Sequence, residues 1–172
     1  MPDLLAESPI AVAEVMMQRA LAALEACSTN ESILESYVVM GELAWDECCG
    51  TLVGVPLRTF KSATFPNPLT DVTNCDNSML CVDIAVILLR CAPVVDAVGN
   101  LPTPEAMTTE FTKVSTDAAV IFDEFMGSLP EGWERANLEQ SFEGADGGCV
   151  VIDTRMTIGL PQTDWCVDCG TP

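Results

Sequence analysis

The chain predicts an α+β fold, a two-layer sandwich in the order α-β-β-β-α-β, with two helices on one face of a four-stranded, mainly antiparallel sheet. Three observations predict it. Two stretches repeat apolar residues every three or four positions, the period of a one-sided helix. Four other runs are rich in apolar and β-branched residues without that period. Three of those runs follow one another ahead of the second helix, so hairpins organise the sheet.

Taken in order, Ser8 and Pro9 form a cap and first-turn pair. Ile10 to Cys27 then places Val12, Met16, Ala20, Ala23, Leu24 and Cys27 on one helical face. After a polar break from Ser28 to Ser32, Ser36 to Trp45 alternates loosely in β-formers and predicts the first strand. A tight link, Asp46 to Gly50, leads into Thr51 to Phe60, predicted to hairpin onto the first strand. Pro56 has no amide proton, which demands an edge or a bulge at that point. Lys61 to Met79, with Pro66, Asn67, Pro68, Asn74, Asp76 and Asn77, predicts a long excursion.

Leu80 to Cys91 is almost continuously apolar and predicts a buried strand that Ala92-Pro93 ends. Thr103-Pro104-Glu105 starts the second helix with a cap, a first-turn proline and an early acid. Met107, Phe111, Val114, Ala118, Ile121, Phe122 and Phe125 form its apolar face, and Gly127 closes it. Glu131 to Gly148 is polar and turn-rich and predicts a loop, and Cys149 to Ile158 the last strand. One domain spans 1–172, with a core over 10–160 and a tail over 161–172. Both faces of Tyr37–Trp45 and Leu80–Cys91 are apolar, whereas two helices cover one face only, so subunit contacts are expected to cover the other.

Composition excludes several function classes. The 172 residues hold seven Lys plus Arg against twenty-six Asp plus Glu and no histidine, for a formal charge of −19. With 49% hydrophobic residues and a mean hydropathy of +0.30, this acidity belongs to a folding chain rather than a disordered one. The absence of histidine removes His-based triads and imidazole metal sites. Free binding to nucleic acid is disfavoured, because it draws on Lys and Arg that are scarce here. The longest apolar runs, such as Ile84–Leu89, are too short to span a bilayer, and the N-terminus lacks a basic start. The expectation is a soluble protein made in a cytosol.

The residues that could carry chemistry are few. Trp165-Cys166-Val167-Asp168-Cys169 has the form of a dithiol redox motif, but Asp164 and Asp168 raise rather than lower a thiol pKa and no helix follows. Cys166 and Cys169 together with Cys48 and Cys49, or with Cys149, would supply thiolates for a structural zinc, although adjacent cysteines are poor ligand spacing. Disulfides are a second fate, with Cys75–Cys81 and Cys166–Cys169 or Cys48/Cys49 as candidate partners, and buried free thiols a third. The acid pairs Asp123-Glu124 and Asp46-Glu47 read as solvated faces. Arg90, at the end of the most apolar strand, requires a carboxylate partner within the chain or across a subunit contact. No catalytic residue, cofactor site or metal set is assigned.

Three segments together resemble a known family: Gly41 through Trp45-Asp46-Glu47-Cys48-Cys49-Gly50 to Val55, Leu89-Arg90-Cys91-Ala92-Pro93, and Gly147-Gly148-Cys149, with Thr64-Phe65-Pro66 as a lesser match. They resemble a cysteine-rich neck family of long-tailed actinobacterial phages, and the element order is similar to that of phage tail terminators. Pro56 and the WCVDC tail depart from the family pattern. The resemblance implies a structural virion protein without enzymatic activity. It implies a homohexameric ring that caps the head-proximal end of the tail tube. Its partners would be copies of itself, the major tail tube protein and the head-to-tail stopper, with genomic DNA passing through the lumen and no membrane. The implied location is the virion neck, after assembly in the host bacterial cytoplasm. A stopper or adaptor of the same neck is the alternative role, and a thiolate-zinc or redox protein a more remote one. Trp45, Phe65 and Arg90 are the candidate interface residues.

Overall fold

A computed structural model describes residues 8–27, 30, 32–41, 50–70, 78–95, 98–146 and 148–161. Their order is α1 (Pro9–Cys27), β1 (Glu35–Val38), β2 (Thr51–Ser62), β3 (Met79–Cys91), α2 (Pro104–Met126), β4 (Glu134–Asp146) and β5 (Cys149–Leu160). The class is α+β as expected, but the sheet is mixed and five-stranded, in the order β1-β2-β3-β5-β4.

Both helices begin where the caps place them. Ser8 Oγ accepts from the Ala11 amide, and Thr103 Oγ1 accepts from the Ala106 amide ahead of Pro104. Gly127 ends α2, its amide donating to the carbonyls of Asp123 and Glu124. Val12, Ala13, Met16, Met17, Ala20 and Leu24 of α1 bury against the sheet. The buried stripe of α2 begins only at Val114 and continues through Ala118, Ile121 and Phe125, with Phe111 left 40% exposed.

Three expectations need correction. First, β1 does not hairpin onto β2 but runs parallel to it, Glu35 opposite Thr51 and Val38 opposite Gly54. The Leu34 and Glu35 amides both donate to the Gly50 carbonyl, and the Val39 amide to that of Gly54. The chain between β1 and β2 returns to the end at which β1 began, and at about a dozen residues it has the length a parallel connection needs. Second, the polar stretch after α2 is not a loop. Glu134–Asp146 forms β4, antiparallel to β5, with register shifts at Ala136/Glu139 and Glu143/Asp146. As an edge strand it is wet, so its residues lack the apolar alternation that marks an inner strand. Third, the long excursion is shorter than expected, because Lys61 and Ser62 continue β2 and Met79 begins β3.

Pro56 meets both conditions its missing amide proton sets. β1 pairs with Thr51–Gly54, so among the described residues β2 has no strand partner on that side at Pro56, and the register to β3 shifts between Pro56 and Arg58.

On the helix side, Val82, Ile84, Val86 and Leu88 of β3 join Ile152, Met156, Ile158 and the helix residues in the main core. On the other face Val53, Val55, Ala85, Leu89 and Val151 form a second cluster. Val53 and Leu89 are fully buried in the single chain. This part of the second face is therefore buried within the chain itself.

Candidate functional site

Three arginines from three elements converge on α2. Arg19 of α1 donates Nε and Nη2 to Glu124 Oε1 at 2.8 and 2.6 Å. Arg90 of β3 donates Nε to Asp117 Oδ2 at 2.7 Å, with Nη2 also at 2.7 Å. Arg135 of β4 donates to the carbonyls of Gly127 and Met126, placing a cation at the negative end of the helix dipole. Asn30 completes the seat, its Nδ2 donating to Asp117 Oδ1 at 2.7 Å and to the Lys113 carbonyl at 2.9 Å. The Arg90 and Asp117 side chains are 10% and 0% exposed, so this pair is buried.

A cleft of about 410 Å³ opens beside it, lined by Asn30, Arg90, Pro93, Ala106, Glu110 and Lys113. Lys113 Nζ pairs with Glu110 Oε1 at 2.7 Å, so the cleft presents matched charges. With both oxygens of Asp117 held by side chains of the same chain, the cluster works as a strut that fixes α2 on the sheet.

The face without helices carries a second charged lattice, because the odd-numbered residues of β3 point away from the main core. Arg58 Nε donates to Asp83 Oδ2 at 2.8 Å while its guanidinium lies 4.7 Å over the Phe60 ring. Thr157 Oγ1 donates to Asp83 Oδ1, and Asn137 Nδ2 donates to Thr157 Oγ1. Arg155 donates Nε and Nη2 to Asp153 Oδ2. The hydrogen bond and then the charge of Asp153 push the Arg155 pKa up, burial opposes them, and Glu139 and Glu143 add lesser upward pushes. Asp153 Oδ1 is buried without a hydrogen-bond partner.

Of the residues singled out from sequence, Arg90 finds its carboxylate within the chain. Phe65 is half-buried, its ring against Gly159 of β5, where any Cβ would strike that ring and Met79 Sδ. Glu124 is tied to Arg19, and Asp123 is exposed. Cys81 is a buried free thiol, so the Cys75–Cys81 disulfide does not form. Burial first, then the charges of Asp83 and Glu134, push its pKa up to about 11. Cys27 is a free, exposed thiol. Cys91 and Cys149, opposite each other in the β3–β5 ladder, are both disulfide-bonded, which removes Cys149 from any thiolate zinc set. Trp45, Cys48, Cys49, Cys75, Cys166, Cys169, the Asp46-Glu47 pair and the WCVDC tail lie outside the described residues. Among the described residues no group of His, Cys, Asp or Glu is placed to hold a metal ion.

Asp117 was missed, although the sequence held a signal. It interrupts the apolar stripe of α2 between Val114 and Ala118, as Arg90 interrupts that of β3. Two misplaced charges of opposite sign imply each other. No family model matches the sequence, and no curated protein matches it. No helix among the described residues is long and apolar enough to cross a membrane.

Proposed function

We propose that the chain is a structural virion protein without enzymatic activity, a tail terminator. Its hexameric ring caps the head-proximal end of a long-tailed phage's tail tube, joins it to the neck ring and lets DNA pass. The resemblance of the WDxCCG and LRCAP segments motivates this reading. The disposition of the cations carries it.

Of the seven basic residues, Arg19, Arg58, Arg90, Lys113, Arg135 and Arg155 are bound to acceptors of the same chain. Among the described residues Glu14, Glu25, Glu35, Glu105, Asp123 and Glu131 are exposed, as are Glu134, Glu139 and Glu143 of β4, and a surface of that kind repels phosphate at short range instead of holding it. A conduit for passing DNA needs that property, since a basic wall would retain the duplex through counterion release.

Negative-stain microscopy of the concentrated protein, with co-sedimentation on tail tubes, tests the reading. The expected result is a hexamer-sized ring with an open centre that binds tube ends and does not retard a DNA duplex at low salt. A chain that binds duplex tightly, or that stays monomeric at every concentration and ignores tube ends, overturns it. Binding to the head-completion ring but not to tubes would move the role to the stopper.

A further inference from the structure

β4 closes one side of the sheet and pairs only with β5, so among the described residues nothing pairs with its outer edge. Between its two register shifts, Glu139 to Glu143 runs in unbroken register against Arg155 to Val151. Five residues of regular strand give about 17 Å of backbone whose outward amides and carbonyls can take a further strand.

The side chains along this stretch divide by face. Gln140 and Phe142 lie opposite Thr154 and Ile152 on the helix side, and Glu139, Ser141 and Glu143 lie on the other. Gln140 is tied down, its Nε2 donating to the Ala118 carbonyl and to Thr154 Oγ1. Phe142 is 55% exposed and stands at an open groove of about 500 Å³ between β4 and α2. Ala118, Ala119, Phe122 and Leu138 line that groove. An exposed aromatic, a groove of mixed polar and apolar lining, and an edge that no described residue pairs with make up the arrangement used to recognise extended peptides by strand addition.

Charge selects the occupant. Glu134, Glu139 and Glu143 stand along the strand, and Asp123 stands at the groove. The nearby cations are engaged elsewhere, Arg135 on the end of α2 and Arg155 on Asp153. A second copy of β4 would bring glutamates against glutamates, which opposes self-pairing. We propose that the β4 edge is a strand-addition site for an extended basic segment of a partner protein. In the bound state alternate Lys or Arg side chains meet Glu139 and Glu143, and the apolar side chain between them sits beside Phe142 in the groove. This site does not depend on ring formation.

The test is fluorescence anisotropy with a short labelled peptide that alternates Lys and Val. Controls are a peptide of the same composition in two blocks and two isomers N-methylated on one or the other alternate set of amides. The alternating peptide is expected to bind at least about tenfold more tightly than the block peptide. One N-methyl isomer should lose binding while the other keeps it, because only one set of amides faces β4. Glu139→Lys with Glu143→Lys, and separately Phe142→Ser, should each weaken binding by about tenfold or more. All three side chains are exposed, and circular dichroism checks that the variants fold. Equal binding by the alternating and block peptides, equal binding by both N-methyl isomers, or no binding by the alternating peptide overturns the proposal.

Discussion

Arg90 of β3 and Asp117 of α2 meet at 2.7 Å as a buried ion pair that bolts the second helix to the centre of the sheet. The pair bridges 27 positions in sequence and two layers in space. Removing one partner strands the other charge out of water, which is far costlier than losing the attraction itself. Arg90→Met is therefore expected to lower the unfolding free energy by about 3–5 kcal/mol in urea titrations. Arg90→Met with Asp117→Leu should recover most of that loss. A double variant as weak as the single would mean that shape, and not the stranded carboxylate, sets the cost.

Gly54 sets how closely α1 approaches β2. A Cβ built there would lie 2.9 Å from the Ala13 carbonyl oxygen and 3.2 Å from Met17 Cβ. The first of these is helix backbone and cannot rotate aside. Gly54→Ala should cost about 1–3 kcal/mol, the range for overpacking a filled core. Gly144 of β4, where an added Cβ meets nothing within 4 Å, serves as the control. Gly144→Ala should stay within about 0.5 kcal/mol of the parent, measured side by side by thermal unfolding.

Two free thiols differ in reach. Cys27 is exposed at the end of α1, whereas Cys81 is buried on the helix-free face of β3. Iodoacetamide at pH 8 should modify Cys27 in the native protein and Cys81 only after unfolding, as read by peptide mass mapping. The folded protein holds the Cys81 proton more tightly than the unfolded chain, with a pKa of about 11 against 9.0. By linkage its contribution is constant below pH 9 and is lost as the pH climbs from 9 towards 11. Cys81→Ala should flatten that alkaline limb of the stability profile.

Cys91 and Cys149 are oxidised in the structure. Their peptides should change mass on reduction, whereas the Cys27 and Cys81 peptides should not. Reduction should also lower the unfolding free energy by about 2–4 kcal/mol. An unchanged midpoint in reductant would show that these bonds constrain little of the unfolded chain.

What the sequence made legible follows from which residues are buried. The caps at Ser8 and Thr103, the α1 stripe and the apolar β3 were readable because each is a local pattern that one element satisfies on its own. The parallel β1–β2 pair was not, since nothing in Ser36–Val38 or Thr51–Gly54 states the direction of pairing. β4 was hidden because glutamates and two bulges, the devices that keep an edge from sticking to other chains, also erase the alternating signature of a strand. At the candidate site Arg90 announced itself as a charge in an apolar strand, but its partner did not, because Asp117 lies 27 positions away on another element and only the packing of α2 on the sheet brings the two together.

The two ends of α2 should behave differently in hydrogen exchange. The sequence carries an apolar face from Met107 to Phe125, yet only Val114 onward is buried, and Glu105, Thr108, Thr109 and Thr112 are exposed. In that outer half, threonine hydroxyls donate to carbonyls four residues back: Thr108 to Pro104, Thr109 to Glu105 and Thr112 to Thr108. Such bonds compete weakly with the helix ladder and supply no tertiary anchor. The inner half has Asp117 on Arg90, Glu124 on Arg19 and Arg135 on its terminal carbonyls. Amides from Met107 to Thr112 should therefore exchange at least about a hundredfold faster than those from Ala118 to Phe125, because the outer turns open without breaking the core. Uniform slow exchange along the isolated helix would contradict that division. Protection gained at Phe111 only on assembly would identify the outer half of α2 as a surface that a neighbour covers.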